Sequence, residues 1–274
     1  MAKSVSDIEF ATTIVRRLQQ AGHTAYFAGG CVRDQLLGRT PADFDVATSA
    51  HPEQVMTLFG RAQQVGVSFG VVLVRQKHQT VEVATFRTDG QYSDGRRPDN
   101  VQFTTAEVDA QRRDFTCNGL FFDPIAHQLH DFVGGQADIQ ARILRAIGRP
   151  EQRFAEDYLR MLRAPRFAAK LGFEIEPVTL QAIRIGAPNI RLISKERIGE
   201  ELRMMLAHPA RVRAAELLVA TGLLAQIWPT ELLPPAPVAP GGSPGLEGPS
   251  NLPPNPSTPA PLRWPSLTAL SEPV

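Results

Sequence analysis

The hydrophobic period of this chain changes once, near residue 150, and that change limits what it can fold into. Before it, short apolar runs at 25–28, 44–47, 71–74 and 81–86 alternate with helical patterns. Ile8, Ala11, Ile14, Val15 and Leu18 recur at the spacing of one helix face. The runs 71–75 and 80–86, joined by 76–79, read as a hairpin. After the change the strand signals end. Segments 153–171, 177–186, 194–206 and 209–221 read as helices separated by Pro or Gly. The expectation is an α+β chain: a sheet-bearing part over 1–145, then an all-helical part over 146–230.

The segment 231–274 is of another kind. It holds 13 of the 23 prolines and four charges, Glu231, Glu247, Arg263 and Glu272. Such a stretch buries too little apolar surface to offset its chain entropy, so a disordered Pro-rich tail is expected. Formal charge is +1, but residues 142–213 carry 15 Lys and Arg against 8 Asp and Glu, a local excess of seven. A basic block in a near-neutral protein suggests a local anionic ligand. Two cysteines, Cys31 and Cys117, exclude a disulfide scaffold and a Cys-rich zinc site. No apolar run approaches a membrane span, and 1–10 lacks the apolar core of a secretory signal, so the expectation is a cytoplasmic protein with no membrane partner.

Four constellations carry chemistry. Gly29-Gly30-Cys31-Val32-Arg33-Asp34 follows the apolar run 25–28. Strand, paired glycines and a helix with an early Arg form a phosphate cradle, because glycine lets backbone N–H groups approach the anion. The plainer alternative is a structural turn. Asp43-Phe44-Asp45 places two carboxylates on one face of an extended segment, with Phe44 turned to the core. Paired carboxylates repel unless a cation sits between them, and an all-oxygen set suits Mg²⁺. Arg112-Arg113-Asp114, at an expected helix start, can hold a triphosphate. Asp157, Arg160 and Arg163, with Arg166 following, form a polar stripe opposite Leu159, Leu162, Phe167 and Leu171, and Pro165 should kink this helix. The six histidines show no HxxxH or HExxH spacing, and GxSxG and P-loop motifs are absent.

In this order and spacing, GGxVRD, DFD, RRDF and EDxLRMLRA resemble the class II tRNA nucleotidyltransferase and bacterial poly(A) polymerase superfamily. The likeness continues through Val81 to Arg87, Asp131 to Asp138 and Ile193 to Ile198, and covers about residues 20–230. It implies a nucleotidyltransferase-fold head with a small mixed sheet over 1–145 and a helical neck over 146–230. It also implies CMP and AMP addition from CTP and ATP to the 3′ end of tRNA, with poly(A) or A-only addition as the alternative. A non-catalytic RNA- or nucleotide-binding protein is the reading from another class.

By the same resemblance Asp43 and Asp45 would bind two catalytic Mg²⁺ ions. Gly30, Arg33 and Arg113 would touch the incoming nucleotide. Asp157 and Arg160 would read its base, with Arg163 and Arg166 completing the site. A third carboxylate would be Glu82 or Asp114. Segment 87–98 resembles the flexible loop of CCA-adding members and is not shortened as in CC-only members. Relatives continue through helical body and tail domains, so the Pro-rich end is expected to mark a truncated member or a tail supplied otherwise.

Overall fold

A computed structural model describes residues 2–60, 62–64, 70–89 and 101–228. The expected tail, and residues 90–98 of the loop that resembles the flexible loop, lie outside the described residues. Helix α1 (Ala2–Gln20) buries Ala11, Ile14, Val15 and Leu18 completely, the face marked by their spacing. It leads to β1 (Ala25–Ala28), α2 (Gly30–Leu36), β2 (Val46–Thr48), α3 (Pro52–Leu58) and β3 (Ala62–Gln64). A hairpin of β4 (Val71–Gln76) and β5 (Gln79–Thr85) follows, turning at Lys77, whose φ is 55°. Then come β6 (Arg87–Asp89), β7 (Val101–Phe103), α4 (Ala106–Gln111), β8 (Leu120–Asp123), β9 (Gln128–Asp131), α5 (Gly135–Ala141) and β10 (Ile143–Leu144).

Seven strands form one sheet in the order β3-β4-β5-β2-β1-β8-β9. Among the described residues of this sheet only β2 and β5 pair in parallel, so the sheet is mixed, as expected. Helix α1 packs against β1, β2 and β5, and α3 against β3, β4 and β5. Tyr26 lies opposite Ala47, and Ala28 opposite Phe121, so these four share a face. Ala106 and Ala110 of α4 close over Ala28, Ala47, Phe86 and Phe121, beside Tyr26. Burying a phenylalanine such as Phe121 contributes about 1.5–3 kcal/mol.

The helical half comprises α6 (Pro150–Glu156), α7 (Leu159–Leu171), a two-residue strand β11 (Glu174–Ile175), α8 (Pro177–Gly186), α9 (Lys195–Ala207), α10 (Arg211–Ala220) and α11 (Leu224–Ile227). The strand pairs in parallel with β10, a departure from the all-helical expectation too short to leave a period. Met161, Leu162 and Ala164 of α7 are wholly buried, and α9 and α10 both pack against that helix. No helix among the described residues is long and apolar enough to cross a membrane. Cys31 and Cys117 are buried free thiols.

Three local readings change. Strand β2 starts at Val46, so Asp43 and Asp45 precede it. The ladder still reaches them, because the Ala28 N–H donates to the Asp45 carbonyl at 3.0 Å. Phe44 is 6% exposed while Asp43 and Asp45 face solvent, so the i, i+2 alternation holds. Arg112 and Arg113 follow the end of α4 rather than begin a helix. The expected helix 153–171 is two helices broken at Asp157, where φ is −150° and ψ 104°. A short acceptor side chain competes with helical hydrogen bonding, and Asp157 Oδ1 takes the Leu159 N–H at 3.0 Å. Helix α7 then runs unbroken through Pro165, so the break falls at the aspartate.

Candidate active site

Strand β1 delivers the chain to Gly29, whose φ of 70° is open to glycine and costly for other residues. A Cβ there would come within 2.9 Å of the Arg113 Nη1. This turn, the segment before β2, the loop after α4 and the start of α7 converge on a cleft of about 460 Å³. Among the described residues six arginines and three aspartates line it, an excess of three positive charges suited to a polyphosphate. We expect Gly29→Ala to raise the dissociation constant for a nucleoside triphosphate about tenfold, since the added methyl displaces Arg113 and weakens a charge-assisted hydrogen bond worth about 1.5 kcal/mol. Nucleotide titration checks this; unchanged affinity would exclude the cradle.

The cleft gathers Gly30, Arg33, Asp45, Arg113, Asp157, Arg160 and Arg163 from both halves of the chain. Asp43 is not among the lining residues; it lies exposed two positions before Asp45. Arg166 is also outside. Glu201 of α9 holds its guanidinium, and it borders a second cavity between α7 and the stretch Met204–Ala214.

Asp45 carries the clearest electrostatic signal. Its carboxyl is pushed up to about 6, first by lost hydration, then by the charge of Glu82, with Asp43 adding to it and Arg113 opposing. The register explains Glu82: Val46 pairs with Val83 in parallel, which puts Asp45 and Glu82 side by side one residue earlier. Asp114 is committed differently. It is buried and accepts from Arg163 Nε at 2.8 Å, Asn118 Nδ2 at 3.0 Å and the Phe115 N–H at 2.8 Å. Although burial opposes ionisation, Arg163 and these bonds hold its carboxyl down near 2. Of the two candidates for a third carboxylate, Glu82 is the exposed one beside Asp45 and Asp114 is an ion-pair partner.

The arginines are held by partners that the sequence pattern did not mark. Asp109 accepts from Arg112 Nε at 2.8 Å and from Arg113 Nη2 at 3.0 Å. Its own carboxyl is lowered by both, against the effect of burial. Arg113 also lies over the Phe121 ring, 4.8 Å from its centre. Arg33, 3% exposed, is fixed by Asn118 Oδ1 and by Asp34 at 2.7 Å. Arg160 is held by Glu156 and by the carbonyls of Arg153 and Arg112. Asp157 Oδ2 accepts from Arg197 Nη2 of α9 at 2.7 Å. The Phe167 ring packs against Arg33, Arg163 and Arg166, their guanidinium carbons 4.3–5.4 Å from its centre. Asp109 was legible as an acid four before Arg113, but Asn118, Phe167, Arg197 and Glu201 meet the site only through tertiary packing.

Among the described residues no group of three or more His, Cys, Asp and Glu side chains forms a ready-made metal cage. The donor set still fits a hard divalent cation. Asp45 and Asp43, with Glu82 alongside, concentrate negative charge, and the remaining ligands of such an ion are commonly water and substrate phosphate oxygens.

Residues 25–145 match the family described as "Poly A polymerase head domain", and residues 172–230 the family described as "Probable RNA and SrmB- binding site of polymerase A". The CCA-adding enzyme of Geobacillus stearothermophilus is 47% identical over 218 residues, covering 79% of this chain and 54% of that protein. That of Bacillus subtilis is 42% identical over 218 residues, 79% of this chain and 55% of the relative. Among solved structures, the CCA-adding enzyme of Bacillus stearothermophilus in complex with CTP matches with a TM-score of 0.75 at 43% identity, over 83% of this chain and 54% of that one. The chain thus spans about half the length of the relatives it matches.

Proposed function

The chain belongs to the class II tRNA nucleotidyltransferase and poly(A) polymerase superfamily, and from that premise we propose that it is a template-independent nucleotidyltransferase adding CMP and AMP from CTP and ATP to the 3′ end of tRNA. In this reading residues 1–145 act as a nucleotidyltransferase head and 146–230 as the helical neck. The observation that carries it is a single cleft holding Asp45, the Gly29–Gly30 turn, Arg33, Arg113, Asp157 and Arg160. A relative 43% identical over most of this chain has been solved with CTP bound.

Arg33 and Arg113, with the backbone at Gly30, hold the triphosphate by charge-assisted hydrogen bonds. The 3′-hydroxyl of the RNA attacks the α-phosphorus, the bond to the bridging oxygen breaks, and pyrophosphate leaves. Asp43 and Asp45 would hold Mg²⁺, as a two-ion site, with Glu82 as the third carboxylate. When bound, such ions supply Lewis-acid stabilisation of the charge that develops on the attacking and leaving oxygens. Asp157 accepts from the exocyclic amino group of cytosine or adenine, and Arg160, held by Glu156, donates to the ring acceptor next to it. The cation-rich stretch 142–213 would contact RNA phosphates.

The test is incorporation into a tRNA lacking its CCA end. CTP alone should add cytidylate, ATP alone should add nothing, and the two together should complete the terminus. A run of adenylates from ATP alone would favour poly(A) addition, and no incorporation would leave a nucleotide-binding role.

A further inference from the structure

Resting on that nucleotide site, we infer that Asn118 is a positioning residue for the triphosphate, holding the Arg33 and Arg113 guanidiniums at a fixed separation so that one polyphosphate meets both. Asn118 ends a single 3₁₀ turn, Thr116–Asn118, and its N–H donates to the Phe115 carbonyl at 2.9 Å. The residue is buried and lines the cleft. Its Oδ1 accepts from Arg33 Nη1, its main-chain carbonyl accepts from Arg113 Nη1 at 3.2 Å, and its Nδ2 donates to Asp114 Oδ1 at 3.0 Å. These partners fix which way the amide points, because a guanidinium can only donate and the ionised Asp114 carboxylate can only accept.

The two arginines are gripped alike. Asp34 takes the Nε and Nη2 edge of Arg33, at 2.8 and 2.7 Å. Asp109 takes the same edge of Arg113, at 3.1 and 3.0 Å. Asn118 then closes the Nη1 end of both. Both also lie against one glycine turn. A Cβ at Gly29 would meet Arg113 Nη1 at 2.9 Å, and one at Gly30 would meet Arg33 Nη2 at 3.6 Å. Two guanidiniums gathered at one turn repel each other. A neutral amide holds them there without cancelling the charge that a polyphosphate needs, as a third carboxylate would. Fixing two long side chains in advance also removes the cost of ordering them when the ligand binds. Through Asp114 the same brace reaches Arg163, at 2.8 Å.

Equilibrium titration of the full chain with CMP, CDP and CTP, without RNA, tests this on Asn118→Ala and Asn118→Ser, with Val55→Ala as the control. Val55 is wholly buried in α3 and is not among the residues lining the cleft, so its truncation lowers stability alone. Wild type should bind CTP more tightly than CDP, and CDP more tightly than CMP. In Asn118→Ala, CTP should weaken about 10- to 100-fold, the scale of one charge-assisted hydrogen bond, and CMP by less than about threefold. Serine is too short to reach Arg33 and should give the same pattern, while the control should leave all three ligands unchanged. Equal losses for CMP and CTP, or a folded Ala variant with wild-type affinity for CTP, would overturn the inference. Should melting curves show the Ala variant unfolded, the Ser variant alone decides. A wild type that binds CTP no better than CMP would sink the phosphate cradle and this inference together. Phosphate-graded binding without extension of tRNA would instead sink the proposed activity and leave the role of Asn118 standing.

Discussion

Asp45→Asn is expected to remove nucleotide incorporation, by on the order of 10³-fold or more, the scale on which preorganised charge at a transferring phosphate acts. It should also raise the melting temperature when chelator is present. Both results come from one crowded carboxylate. The Asp45 carboxyl is pushed up to about 6, first by partial loss of hydration on the cleft wall and then by the charges of Glu82 and Asp43. Its folded value lies above its unfolded one, so the folded state binds the proton more tightly. Stability therefore falls as pH rises from about 4 to about 6, and the penalty is fully present at neutral pH. Asparagine keeps the shape and removes the repulsion, so the variant should be steadier than wild type at pH 7.5 and gain little at pH 4. Such an exchange of stability for function is what a charge held ready for a cation would produce. Incorporation close to wild type, or a variant that melts earlier in chelator at neutral pH, would sink the assignment. Asp43→Asn should lose incorporation too.

Asp114→Ala should unfold the protein about 10 °C earlier. Asp114 follows α4 and Arg163 lies on α7, so their 2.8 Å pair ties the sheet-bearing half to the helical half. Truncation leaves the Asn118 amide, the Phe115 N–H and the Arg163 guanidinium without their shared acceptor. Breaking a buried pair from one side costs about 3–5 kcal/mol. The low end applies here, because the Arg163 side chain is 34% exposed and recovers some hydration. For a folded unit of this size, about 3 kcal/mol corresponds to roughly 10 °C. The pH dependence has the opposite sign to that of Asp45. The folded value, near 2, lies below the unfolded one, so the contribution is complete above about 4 and is lost as pH falls toward 2. Acid titration of wild type against Asp114→Asn should show the steeper loss in wild type across that window. Parallel curves, or an Ala variant melting within about a degree of wild type, would show that the pair contributes little. Nucleotide affinity should fall with stability, since Asn118 is also the anchor of Arg33.

What the sequence alone determined is what repeats or sits close along the chain. The buried face of α1, the β4–β5 hairpin and the limits of α8 follow from period and punctuation, which act within a few residues. The Gly29–Gly30 turn and the inward Phe44 between two outward aspartates were legible for the same reason: alternation and the positive φ of Gly29 are local properties. Tertiary structure decided which of these pieces meet. Asp45 and Glu82 are 37 positions apart and become neighbours through a parallel register that leaves no mark in either segment. The stripe of Asp157, Arg160, Arg163 and Arg166 looked like one helix face. Packing gave each member a separate partner: Arg197, Glu156, Asp114 and Glu201. A buried guanidinium must find a carboxylate or carbonyl within hydrogen-bond reach, and the sequence contains many candidates at every distance. Only the folded chain selects among them, so the residue types of the site could be read from the sequence while its pairings required the packed structure.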